Sequence, residues 1–191
     1  HETTSNALTW TFYLLAQHPE VAAKLFAEVD TVLAGRAPGL PDLPQLPYTA
    51  KVVKESMRLY PPAWILNARR VVADTKLGGH VVEGGSDLFI APYVMHRLAR
   101  YFDAPNEFQP ERFTPEFEDS LPRFAYMPFG GGPRVCIGNS FASMEAVLVL
   151  AAIAQQYRLR LAPCHPVEPH ATLTLRPKHG LKMVVEARET R

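Results

Sequence analysis

The residue types most suited to chemistry lie together in residues 129–138, which read FGGGPRVCIG. Three successive glycines let the backbone approach a large flat group or adopt positive φ angles. Cys136 lies directly before a predicted helix, where unpaired N–H groups favour the thiolate. Arg134 adds a planar donor group suited to a carboxylate. Together these features predict a soft axial metal ligand at Cys136.

Other interpretations of this loop stay open on residue types alone. A single cysteine before a helix is often a small hydrophobic residue. A phosphate-binding loop is disfavoured, because Val135 occupies the third glycine position of G-x-G-x-x-G and the Walker Gly-Lys pair is absent. A nucleophilic cysteine needs a histidine partner, which is not nearby in sequence but could come from a distant segment. The loop by itself therefore favours a metal or cofactor ligand only modestly.

The same loop resembles the heme-binding signature of the cytochrome P-450 family, F-x-x-G-x-R-x-C-x-G. The chain has all five defining positions, which are Phe129, Gly132, Arg134, Cys136 and Gly138. The resemblance implies heme b with Cys136 as its axial ligand and Arg134 paired with a propionate. It also implies that Phe129 shields the thiolate and that Gly130 and Gly138 lie against the cofactor.

Two further motifs match the family in its order along the chain. Glu55-Ser-Met-Arg58 matches E-x-x-R, and residues 110–113 match P-E-R-F. Alone, an i,i+3 Glu/Arg pair is common on solvated helix faces. The resemblance implies a buried network of Glu55, Arg58 and Arg112, and buried charges persist only when they are paired. We expect this network to be structural and to fix the proline-rich segment beneath the cysteine loop.

The first four residues, His-Glu-Thr-Thr, resemble the second part of the A-G-x-[DE]-T-T motif of the family's I helix. The resemblance implies that Glu2 and Thr3 form an acid–alcohol pair that delivers protons during oxygen activation. On these residues alone, a polar helix end is the simpler interpretation. The order and spacing of the other motifs favour the family role.

Weaker similarities point to further site residues. Arg69 lies ten residues before Gly79, as does the family's arginine that pairs a heme propionate, and Arg70 is the adjacent alternative. His96 and Arg97 resemble a family pair near the heme edge, although a surface pair is nearly as good an interpretation. The resemblance also implies four residues of the substrate pocket: Ile65, Leu66, Leu173 and Thr174.

Hydrophobic periodicity and proline positions predict the elements that must position these residues. Helices are expected at residues 1–17, from Pro19 to a stop at Gly35, at 49–60, around 94–101, and at 137–157. Short β segments are expected at 71–72, 77, 81–82 and 88–91, and late strands at 171–176 and 180–186. The fold class is therefore mainly α with small β-sheets. The resemblance implies a cytochrome P-450 fold from the second half of helix I through helix L and the late β hairpins.

Composition excludes several classes of protein. The 191 residues carry 20 Lys and Arg against 19 Asp and Glu, a net charge of +1, so no charge field points to nucleic acid. Two cysteines are too few for a disulfide scaffold. The longest apolar run, residues 146–154, is about half of the ~18 residues that a membrane span needs. We therefore predict no transmembrane segment in this chain and a cytoplasmic location.

The resemblance implies a heme-thiolate monooxygenase that inserts one atom of dioxygen into an apolar organic substrate. Its electrons would come from a redox protein or a reductase domain. Because the first motif is met already at residue 1, we expect residues 1–191 to be the C-terminal heme-ligating part of a single longer domain. Two alternatives remain, which are a heme-thiolate peroxygenase or isomerase and a catalytically incompetent heme-binding fragment.

Overall fold

Helices dominate the computed structural model, which describes residues 1–188. Its α-helices are α1 (Glu2–Gln17), α2 (Pro19–Leu33), α3 (Pro47–Leu59), α4 (Pro92–Met95), α5 (Pro115–Ser120) and α6 (Asn139–Gln156). Proline occupies the first position of α2 and of α3, where its missing N–H costs nothing. The predicted helix at 94–101 is wrong in extent, because the chain leaves the helical conformation after Met95.

Four of these helices, α1, α2, α3 and α6, enclose the hydrophobic core. Leu150 and Ala151 of α6 are fully buried, as are Leu25 of α2 and Val52 of α3. Because α6 is apolar on nearly all sides, it packs against the other three helices rather than presenting one stripe to them. The core therefore holds α6 from Ala146 onwards, about two turns after its first residue.

The strands are short and pair in four antiparallel ribbons. The first two pairs are β1 (Arg69–Arg70) with β4 (Asp87–Leu88), and β2 (Thr75–Leu77) with β3 (His80–Val82). The last two are β5 (Tyr157–Leu161) with β8 (Met183–Ala187), and β6 (Pro169–Ala171) with β7 (Leu175–Pro177). The prediction of a mainly α protein with small β-sheets is confirmed.

The late strands differ from their prediction. The expected strand at 171–176 is interrupted by a turn at residues 172–174, so β6 and β7 pair with each other. The expected strand at 180–186 pairs with β5, which follows α6 directly. Strand β5 was not predicted, because residue 157 was assigned to the end of the helix. Its partner lies more than 20 residues further along the chain, so local pattern does not reveal the pairing.

The proline-rich segment at residues 103–135 is ordered by its aromatic side chains rather than by long elements. Phe108 and Phe113 are buried, and the Phe113 ring lies 5.0 Å from the Tyr126 ring. Burial of these rings against the helices fixes the path of the backbone that leads to the cysteine loop. Among residues 1–188, no helix has both the length and the apolar character needed to cross a membrane.

Candidate functional site

The cysteine loop, residues 129–138, ends immediately before α6. The Cys136 N–H donates to the Phe129 carbonyl over 3.0 Å and closes the loop. Gly130 and Gly132 have φ angles of +72° and +68°, left-handed values that glycine adopts without strain. The Cys136 side chain is exposed, so the closed loop presents its sulfur instead of burying it.

One glycine of the loop is required by a close approach that the motif did not predict. A Cβ atom on Gly131 would lie 2.4 Å from the Phe124 ring, closer than any real contact. By contrast, a Cβ atom on Gly138 would meet nothing within 4 Å among the described residues. The role predicted for Gly138 therefore has no support from packing within the chain and stays a prediction.

A cavity of about 750 Å³ lies over the cysteine loop. It separates the loop from the first turns of α1 and from the segment that follows α3. Its lining is mostly apolar, but it includes Cys136, two threonines (Thr3 and Thr4) and three arginines (Arg69, Arg70 and Arg134). The lining residues include Thr3, Ala7, Met57, Leu66, Arg69, Phe129, Gly130, Arg134, Cys136, Ala142 and Ala146.

Three arginines line this cavity: Arg69, Arg70 and Arg134. Neither Arg69 nor Arg134 has a carboxylate partner within residues 1–188, and Arg69 donates only to backbone carbonyls. The adjacent Arg70 is instead engaged with Asp87 through two hydrogen bonds of 3.1 and 3.0 Å. This difference favours Arg69 over Arg70 as the residue that pairs with an anionic group in the cavity.

The predicted proton-delivery and substrate-pocket residues divide into two groups. Thr3 and Leu66 line the cavity. Glu2, Ile65, Leu173 and Thr174 are not part of its lining among the described residues. Instead, the Glu2 carboxylate accepts a hydrogen bond from the Thr174 hydroxyl over 3.0 Å.

The structure brings Glu55, Arg58 and Arg112 together in one buried network. Arg58 donates to both oxygens of Glu55, over 2.7 and 2.8 Å, and Arg112 Nε donates to Glu55 Oε1 over 3.0 Å. The Gln109 N–H adds a fourth bond to this carboxylate, at Oε1, over 2.9 Å. Glu55 and Arg58 are 0% exposed. The network thus joins α3 to the proline-rich segment that leads to the cysteine loop.

Every N–H of the Arg58 guanidinium has an acceptor. Besides Glu55, these acceptors are the backbone carbonyls of His96, Pro105 and Glu107, at 2.8, 2.6 and 2.9 Å. The side chain therefore makes five hydrogen bonds with its five donors. Sequence reasoning missed the three carbonyls, since backbone acceptors leave no signal in residue type.

His96 is a second buried link to the segment that leads into the cysteine loop. Its side chain is 0% exposed, which excludes the surface pair considered for it. The Met127 N–H donates to His96 Nε2 over 2.8 Å, so Nδ1 carries the proton of the neutral ring. That Nδ1 has no partner among the described residues. Burial lowers the pKa of His96 to about 4, from an ordinary 6.5, because the charged ring would lose its hydration.

We expect this lowered pKa to make the protein sensitive to acid. Between pH 6.5 and 4 the unfolded chain protonates His96 and the native chain does not, so stability falls as pH falls. The loss should be of the order of 3 kcal/mol across this window. The free energy of unfolding, measured in urea at both pH values, should fall by this amount in wild type. His96→Gln should not show this loss, because glutamine does not titrate. His80→Gln, at an exposed site, should behave as wild type.

The sequence profile of the family described as Cytochrome P-450 matches residues 1–184. The chain belongs to the cytochrome P-450 family. The fold is that of the family as well, since the crystal structure of a cytochrome P-450 superimposes with a TM-score of 0.87 at 33% identity. That match covers 98% of this chain and 42% of the other.

Two relatives in the P-450 family come from Streptomyces. Cyclooctatin synthase of Streptomyces melanosporofaciens is 45% identical over 98% of this chain and 40% of the relative. Pentalenene oxygenase of Streptomyces avermitilis is 38% identical over 98% of this chain and 41% of the relative. The chain thus spans about two fifths of the length of the curated relatives it matches.

The residues around the cavity fit the heme that the P-450 family implies. A single exposed thiol lies at the cavity, which suits a soft axial ligand. Gly130 and Gly131 of the loop line the cavity with backbone only. Arg69 and Arg134 are cations suited to two carboxylates, and Ala142 and Ala146 of α6 contribute small apolar walls.

Proposed function

We propose that residues 1–191 form the heme-ligating C-terminal part of a single P-450 domain that carries out monooxygenation. The observation that supports this most directly is one cavity lined by Cys136, the glycine loop, Thr3, Arg69 and Arg134. A thiol, a hydroxyl and two guanidinium groups are the set that thiolate ligation, proton delivery and propionate binding require.

When bound, heme would supply the activation of dioxygen and the transfer of one oxygen atom to the substrate, using two external electrons and two protons. The residues of this chain would bind the heme and limit the access of water to it. Cys136 would hold the iron through its thiolate, with the loop closed by its N–H bond to the Phe129 carbonyl. Arg69 and Arg134 would bind the propionates by charge-assisted hydrogen bonds. Phe129, half-buried beside the loop, would limit access of water to the sulfur.

Thr3 and Glu2 would deliver the protons. The Thr3 hydroxyl lines the cavity and can both accept and donate a hydrogen bond. Glu2 precedes it and lies on the solvent-exposed side, where a carboxylate can exchange protons with water. This pair would carry protons from the surface to the cavity, with Thr3 as the last protein group.

The substrate would be an apolar organic molecule. Leu66, Ala7 and Met57 give the cavity an apolar wall. Pentalenene and carotene are suitable first probes, because they appear in the names of two relatives. These relatives are pentalenene oxygenase and the carotene epsilon-monooxygenase of Arabidopsis thaliana. Electrons would come from a redox protein or reductase domain, as monooxygenation requires an external donor. The cytoplasmic location stays a prediction.

The test measures, in the heme-loaded protein, how many electrons are consumed and where the oxygen atoms go. With an electron donor, a probe and ¹⁸O₂, wild type should place one labelled atom in each product molecule. Thr3→Ala should divert electrons to hydrogen peroxide and lower product per electron by about tenfold. This expected loss is smaller than the roughly 10²–10⁴-fold that a proton-transfer group typically contributes. The measurement is peroxide and labelled product per electron consumed.

Thr9→Ala serves as the matched control, because Thr9 lies on the same helix and donates to the Ser5 carbonyl, away from the cavity. Product formation from added peroxide alone, with no incorporation from ¹⁸O₂, would support the peroxygenase alternative. A Thr3→Ala variant that couples as well as wild type would refute the role of Thr3.

A further inference from the structure

A chain of hydrogen bonds beside the cavity joins the start of α1 to the turn between β6 and β7. Asn6 Nδ2 donates to Thr174 Oγ1 over 3.1 Å, and Thr174 Oγ1 donates to Glu2 Oε1 over 3.0 Å. Because the amide nitrogen of Asn6 can only donate, the single hydroxyl proton of Thr174 is left for Glu2. The bond from Asn6 therefore fixes the direction in which the Thr174 hydroxyl donates, which is towards Glu2.

The turn that carries Thr174 is held through both backbone groups of the next residue, Leu175. The Leu175 N–H donates to the Pro62 carbonyl over 2.9 Å, and Trp10 Nε1 donates to the Leu175 carbonyl over 3.0 Å. Thr174 is only 7% exposed. A hydroxyl in that position is costly to leave unpaired, so its bond to Glu2 is expected to persist.

Three successive turns of α1 contact this hairpin through one face. Glu2, Asn6 and Trp10 are spaced four residues apart, which places them above one another on a helix. Thr3 follows Glu2 but lies on the neighbouring face, which lines the cavity. The hairpin therefore holds the carboxylate on one face of α1 while the hydroxyl of Thr3 faces the cavity on the next.

We propose that Thr174 is a positioning residue for the Glu2 carboxylate and that Asn6 directs its hydroxyl proton. This inference rests on the proposed function, in which Glu2 and Thr3 pass protons to the cavity. An exposed glutamate in the first turn of a helix samples several rotamers. The Thr174 hydroxyl selects one of them, so that the acid stays at a constant distance from Thr3.

The first experiment compares Thr174→Val, which removes the hydroxyl at nearly constant shape, with Thr174→Ser, which keeps it. In the heme-loaded protein, Thr174→Val should raise the share of electrons lost to peroxide several-fold, and Thr174→Ser should restore most of the coupling. Thr172→Val is the matched control in the same turn. The Thr172 hydroxyl donates to the Thr174 backbone carbonyl over 3.2 Å and, among the described residues, makes no hydrogen bond to the Thr174 hydroxyl or to Glu2. Equal peroxide shares in Thr174→Val and wild type would overturn the inference.

The second experiment needs no turnover. The thermal unfolding midpoint is measured for Glu2→Ala, Thr174→Val and the double variant. If the two side chains interact as the structure has them, Glu2→Ala should shift the midpoint less in the Thr174→Val background than in wild type. Fully additive shifts would show that the contact is not made and would overturn the inference.

The two experiments separate this inference from the proposed function. Non-additive midpoint shifts together with no incorporation of ¹⁸O₂ would show that Glu2 and Thr174 interact but that the proposed function is wrong. The positioning role of Thr174 would then fail with the proposed function. A raised peroxide share in Glu2→Ala with normal coupling in Thr174→Val would support the role of Glu2 and overturn that of Thr174. Raised peroxide in both, with no further rise in the double variant, is the expected result.

Discussion

Arg58→Ala is expected to yield misfolded protein that does not retain heme. The substitution leaves the Glu55 carboxylate fully buried, with Arg112 and one backbone N–H as its remaining donors. Breaking a buried ion pair in this way costs about 3–5 kcal/mol. Native domains are stable by only about 5–15 kcal/mol, so the loss is a large fraction of the total.

The backbone makes this loss larger. Three carbonyls, those of His96, Pro105 and Glu107, would lose their donor at the same time. Each unsatisfied buried acceptor costs about a further 1–3 kcal/mol where water cannot replace the donor. Because these carbonyls lie in the segments that lead to the cysteine loop, the damage should extend to heme retention. Heme content and the urea unfolding midpoint are the measurements.

A matched control and a conservative variant sharpen this test. Lys54→Ala removes the exposed ion pair with Glu118 from the same helix, α3, and should cost at most about 1 kcal/mol. Arg58→Lys should rescue little, since one ammonium cannot supply the five directed donors of the guanidinium. Normal heme content in Arg58→Ala would show that the network is dispensable.

The helical part of the fold was predictable because its signals are local. Pro19 begins α2 and the prolines after Tyr60 follow the end of α3, as the sequence predicts. The same applies to the family, since the cysteine loop carries five defining positions within ten residues. Because the residues that carry these signals are close together in sequence, residue types alone were enough to predict the fold class and the family.

The parts that were not predictable depend on contacts between distant segments. The bond from Thr174 to Glu2 joins residues 172 positions apart, and β5 meets β8 only after the intervening β6–β7 hairpin. Residue types likewise could not separate Arg69 from Arg70, whereas the ion pair between Arg70 and Asp87 favours Arg69 as the arginine left for an anionic group. Such choices are made by packing, so they appear only once the chain is folded.

The second large effect is expected for Cys136→Ser, which should abolish thiolate ligation of heme while leaving the fold intact. The Cys136 side chain is exposed, and the bond that closes its loop uses the backbone N–H, which serine retains. The free energy of unfolding should therefore change by no more than about 0.5 kcal/mol, as for most exposed substitutions. Ligation should fail nevertheless, because a hydroxyl is a hard donor that replaces poorly a thiolate on iron.

The absorption spectrum of the reduced, CO-bound protein separates these two effects, with the thermal midpoint of the heme-free protein as the measure of folding. Cys164→Ser is the matched control, since Cys164 is also exposed and lies outside the cavity lining. It should keep both the thiolate-type Soret band and the midpoint of wild type. An unchanged band in Cys136→Ser would contradict the assignment of the axial ligand, and the cavity over the cysteine loop would then need another explanation. A lost band with an unchanged midpoint would tie the loss to the sulfur atom itself, because nothing else in the loop depends on it.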